Sequence, residues 1–154
     1  MRPLSAAPGR DPREIVRHFT PNWFAANMGT GILALMLAAF PYGHWGQLEI
    51  ARGLWIVNVF FFALFSALFV GRALFYRHSF VRLFDHPVQS LFIGAIPMGF
   101  ATIINGLLDF WTVTPQTLAI AETLWWIDVI MALISALLIP FFMFTAHEHS
   151  IERM

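Results

Sequence analysis

Four stretches of the chain, 23–40, 54–71, 87–108 and 129–146, each run 18 residues or more without Asp, Glu, Lys or Arg. About 18–20 such residues let an α-helix cross the hydrocarbon core of a bilayer. Lipid offers the backbone no hydrogen-bond partners, so a spanning chain is either helical or a closed barrel. Barrel strands would alternate apolar and polar residues over about ten positions. Here the runs are continuous, which predicts an all-α integral membrane protein with four transmembrane helices, over about 22–40, 54–75, 87–108 and 126–146. Composition agrees, since 58% of the 154 residues are hydrophobic and 12% are charged.

Orientation is read from arginine, because the sequence contains no lysine. Arg2, Arg10, Arg13 and Arg17 precede the first span, Arg72, Arg77 and Arg82 surround the link between spans two and three, and Arg153 follows the fourth. Arg52 alone falls on the opposite side, where the third-to-fourth link carries Asp109 and Glu122. The positive-inside rule therefore predicts that both termini are cytoplasmic. Trp45, Trp55, Trp111, Trp125 and Trp126 then gather at the outer interface as an aromatic belt. Residues 1–17, with Pro3, Pro8, Gly9 and Pro12, read as a cytoplasmic tail without a cleavable signal peptide.

Links of about a dozen residues would join the spans into two antiparallel hairpins. These echo one another weakly: Met28-Gly29 recurs as Met98-Gly99, each a short distance after a proline, Pro21 or Pro87. Even and odd spans differ more clearly. Span two carries Phe60, Phe61, Phe62, Phe65 and Phe69 around most of its circumference, as suits a helix largely in lipid. Span three instead sorts its small and polar residues into two stripes at 100° per residue. Ser90, Gly94, Pro97, Ala101 and Asn105 form one, and Ala95, Gly99, Thr102 and Gly106 the other. Span one places Asn27, Thr30, Gly31, Ala34 and Ala38 together. Such stripes serve as close-packing surfaces between helices. Two stripes on one helix also allow one to pack while the other borders an opening. Pro97 leaves a carbonyl near Ile93 in need of another partner, which a neighbouring helix or a wet cavity can supply.

The sequence shows no catalytic constellation: G-x-S-x-G, P-loop and H-E-x-x-H motifs are all missing. With no cysteine there is no thiolate metal site. His147, Glu148 and His149 are spaced for an interfacial flank rather than for metal ligation, and no histidine lies within a span, which argues against bis-histidine haem. Zero formal net charge and the lack of a basic block argue against nucleic acid. No enzyme, cofactor or metal is expected. Asp128 is the acidic group nearest a span interior, and its neighbours Trp125 and Trp126 suggest an interfacial position. Asn58 and Ser135 read as hydrogen-bonding links between helices.

"FTPNWFAANMGTGIL" (19–33) together with "HPVQSLFIGAIPMGFATIING" (86–106) resembles the tellurite-resistance/dicarboxylate transporter family. That family takes in malate permeases, sulfite efflux pumps and slow anion channels. The resemblance runs from about His18 to the C-terminus. It implies a ten-helix, five-hairpin pore fold with odd helices inside and even helices outside, commonly trimeric. It also implies candidate pore-lining positions at Asn27, Thr30, Gly31 and Ala34 of span one and at Ser90, Gly94, Pro97, Ala101 and Asn105 of span three. Two of five hairpins cannot enclose that pore, so the chain is expected to be a truncated portion of a longer transporter. The late inner helix whose phenylalanine gates the family's pore has no counterpart here.

The resulting expectation is passage of a small anion, of C4-dicarboxylate (malate) or sulfite type, through a homo-oligomer in the plasma (inner) membrane. A four-helix membrane scaffold without transport activity is the alternative.

Overall fold

The computed structural model describes residues 16–41, 46–76, 78 and 91–146, with the side chains of 142–146 left aside. The main α-helices among the described residues are, in order, α1 (Trp23–Ala39), α2 (Gln47–Phe75), α3 (Ala95–Phe110) and α4 (Pro115–Ala146). A 3-10 turn at Phe92–Gly94 leads directly into α3. There is no strand among the described residues. The segments 54–75, 87–108 and 126–146 expected to span thus lie largely in helices, and Ser90 falls outside the described residues.

Among the described residues, three helical stretches are long and apolar enough to cross a membrane: Gln47–Phe75, Phe92–Phe110 and Pro115–Phe141. At 17 residues, α1 rises only about 26 Å. It stops because Pro41 disfavours a helical Phe40, which is extended at φ −71° and ψ 120°. Its first turn is closed by short-range bonds from the Phe24 and Ala25 N–H groups to the Pro21 and Asn22 carbonyls, at 3.0 and 3.1 Å.

The first and third links are shorter than the dozen residues expected, because α2 and α4 begin ahead of the apolar runs. Gly46, left-handed at φ 89°, turns the chain into α2 well ahead of Leu54. The Gln47 side-chain amide then reaches back to the Leu37 and Phe40 carbonyls, satisfying acceptors that the end of α1 leaves open. At the start of α4, Thr114 Oγ1 accepts the Thr117 N–H at 3.1 Å, and Pro115 occupies the first helical position. The segment between α3 and α4 is therefore only residues 111–114.

α1 packs against both α2 and α3, while α4 packs chiefly against α3. The two odd helices are thus neighbours, and each packs against the even helix that follows it. Spacings of three and four residues explain the buried edges: Phe24, Asn27, Gly31 and Ala34 on α1, and Ala51, Trp55, Asn58 and Arg72 on α2. Phe24 is wholly buried, edge-on to Phe62, Phe65 and Phe69 with ring centroids 5.5 to 6.1 Å apart. Phe60 and Phe61 remain exposed, as a surface meeting lipid would be.

Pro97 does not interrupt a continuous helix. The 3-10 turn ends at Gly94, α-helix restarts at Ala95, and Pro97 falls in the first turn, where its missing N–H costs no intrahelical bond. The carbonyls of Phe92 and Ile93 are met by the Ala95 N–H, which supplies the partner that Pro97 cannot.

Candidate functional site

The two stripes of α3 have different neighbours. Ala95, Gly99, Thr102 and Gly106 are buried against α1 and α2. A methyl group on Gly106 would run into the Trp55 indole, whose Nε1 donates to the Ile103 carbonyl at 3.3 Å. At Gly31 it would overlap Thr102 and Asn58. Glycine is needed at both places because helices approach closely there.

A polar thread crosses this seam. Asn27 Nδ2 donates to the backbone carbonyl of Asn58 at 2.8 Å and to its Oδ1 at 3.0 Å. Asn58 Nδ2 donates to Thr102 Oγ1 at 3.3 Å, and the Thr102 hydroxyl donates to the Gly99 carbonyl at 2.7 Å. Asn27, Asn58 and Thr102 are 2%, 1% and 5% exposed, so three helices are joined through uncharged amides and a hydroxyl in the interior. Pairing of this kind is how polar side chains are accommodated away from water. Asn58 thus links helices as expected, whereas the Ser135 hydroxyl bonds within α4, to the Met131 and Ala132 carbonyls.

The other stripe borders an open cleft of about 300 Å³ between α3 and α4. Gly94, Pro97, Met98 and Ala101 form one wall; Asp128, Ala132, Ser135 and Ala136 contribute to the other. A methyl group on Gly94 would lie 3.3 Å from Ile139 Cδ1, so this end of the cleft is narrow. Pro140 cannot donate to the carbonyl of Ala136, a residue of the cleft wall. A second cleft of about 220 Å³, between α1 and α2, is lined by residues including Asn27, Thr30, Asn58 and Phe65.

Of the positions singled out in the sequence, Gly94, Pro97 and Ala101 meet in the first cleft, and Asn27 and Thr30 in the second. Gly31 and Ala34 are buried in the helix seam and line neither. Asn105 is exposed, one turn beyond the α3 residues that line the first cleft.

Asp128 is 8% exposed within α4 and shares the cleft with Ala101 of α3. Trp125 and Trp126 turn outward and are exposed. The spacing of Asp128, Ala132 and Ser135 at i, i+4 and i+7 is the sequence signal for this shared face. No group of three or more metal-ligating side chains occurs among the described residues.

Among the described residues, apolar helices joined by an uncharged polar seam define an all-α integral membrane protein. The chain belongs to the SLAC1 family, voltage-dependent anion channel, which it matches over residues 18–154. It is 37% identical over 147 residues to the sulfite efflux pump SSU1 of Trichophyton rubrum, covering 94% of this chain and 39% of that protein. The malic acid transport protein of Schizosaccharomyces pombe is 28% identical over 141 residues, covering 89% of this chain and 32% of the relative. An uncharacterized transporter of Methanocaldococcus jannaschii is 28% identical over 148 residues, with 92% and 40% covered. The chain therefore spans about two fifths of the length of these relatives or less. No solved structure matches it significantly.

Proposed function

We propose that this chain supplies part of the wall of a transmembrane path for small anions, of the sulfite or C4-dicarboxylate (malate) type, working without ATP. The observation that carries the reading is the division of α3: the Ala95, Gly99, Thr102 and Gly106 stripe is used for packing, while Gly94, Pro97 and Ala101 border an open cleft. Small walls suit conduction, which requires a solute to enter and also to leave. The sulfite efflux and malic acid transport named for relatives support the choice of solute.

The same reading has the chain acting within a larger assembly in the plasma membrane, as a homo-oligomer, a trimer by the resemblance, or with further hairpins of a longer protein. Both termini would face the cytoplasm, on the strength of the arginine asymmetry.

The test is flux of labelled sulfite and malate into liposomes containing the protein with its natural full-length chain. Ala101→Phe narrows the cleft and is expected to reduce flux at least about tenfold, a change of about 1.4 kcal/mol in the barrier. Equal flux would remove this stripe from the path. Absence of flux in the unmodified protein, with stable capture of an unrelated membrane subunit, would favour the scaffold alternative.

A further inference from the structure

An anion path with a carboxylate in its wall poses a problem of charge. Asp128 is 8% exposed, lines the α3–α4 cleft, and its Oδ1 has no hydrogen-bond partner among the described residues. Among the described residues that line the cleft, none carries a positive charge. Neither α3 nor α4 contains Arg, Lys or His. The α3 side of the cleft offers Gly94, Pro97, Met98 and Ala101, none of them titratable, and the α4 side adds apolar residues and Ser135, whose hydroxyl donates to its own helix. The remaining acidic residues of these helices, Asp109 and Glu122, are exposed. Acidic side chains so placed within a membrane helix are commonly sites where protons bind and leave.

We propose that Asp128 is a protonation site that sets the charge of the cleft. A proton taken from the aqueous phase converts the carboxylate to a neutral carboxyl, whose O–H is a hydrogen-bond donor toward an anion in the cleft. Loss of that proton to water restores a negative charge that repels the same anion at close range. Anion passage through the cleft is therefore greater on the acid side. The effect on passage rests on the anion-path reading, whereas the protonation itself does not.

Two measurements separate these parts. The first is the infrared difference spectrum of the protein in lipid between acid and alkaline pH, read in the carboxyl C=O stretch. A band lost on alkalinisation, missing from Asp128→Asn and retained in shifted form by Asp128→Glu, is expected; a difference spectrum that Asp128→Asn leaves unchanged would overturn the site. The second is malate flux over a pH range in which malate stays a dianion. The unmodified protein should lose about tenfold in flux toward the alkaline end, as a like charge at close range implies, and Asp128→Asn should hold the acid-side value throughout. An Asp128→Asn profile that follows the unmodified protein would overturn the control of charge. If the unmodified protein carries no malate at any pH, the anion-path reading fails, and the infrared band alone upholds or overturns the protonation site.

Discussion

The Thr102 hydroxyl of α3 fills the space immediately in front of Gly31 on α1. The contact is possible because Gly31 has no side chain, and it brings α1 and α3 together at the level where Asn58 joins the network.

Gly31→Ala should therefore destabilise the bundle by about 1–3 kcal/mol through overpacking. Gly29, two positions earlier, has nothing within 4 Å of the place a methyl group would occupy. Gly29→Ala should leave stability unchanged or raise it by about 0.5–1 kcal/mol through helix propensity. Reversible unfolding in mixed micelles would check the pair, and equal effects at the two glycines would contradict the close approach.

Replacing Asn58 tests the polar thread. Asn58→Leu leaves Asn27 Nδ2 only the residue-58 backbone carbonyl, taking away the Oδ1 acceptor and the donor to Thr102, with an expected cost of about 1–2 kcal/mol. Asn105→Leu, at an exposed position, should stay within about 0.5 kcal/mol in the same assay. A similar loss at both positions would mean that the seam contributes no more than an exposed amide does.

Topology can be read by single-cysteine labelling, since the chain has no cysteine of its own. An impermeant maleimide added outside intact cells should modify Thr112→Cys, in the segment between α3 and α4, and leave His78→Cys unmodified until the membrane is opened. Both positions are exposed in the structure, so access in the folded protein is not limiting. The opposite pattern would reverse the orientation drawn from the arginines.

Uninterrupted apolar runs made the helices themselves legible, because lipid leaves a chain few other ways to satisfy its backbone. Helix ends were less so: α2 and α4 begin at Gln47 and Pro115, where Gly46 geometry and the Thr114 cap decide the boundary after hydropathy has faded. The two stripes of α3 could be drawn from its 100° period, yet only their neighbours distinguish packing at Gly99 and Thr102 from the open cleft at Pro97 and Ala101. The burial of Asp128 was hidden for a related reason. The tryptophans beside it are exposed, and only the neighbouring α3 turns the Asp128 side of α4 into a cleft wall.

The contacts of the first hairpin bear on the order of assembly in the membrane. At one end the Gln47 amide holds the Leu37 and Phe40 carbonyls, and at the other the Arg72 guanidinium donates to the Phe19 carbonyl. These fastenings, like the Asn27–Asn58 pair between them, join segments made before α3 emerges from the ribosome. The hairpin can accordingly set its geometry during insertion, with the Asn58 amide left to find Thr102 when the second hairpin arrives.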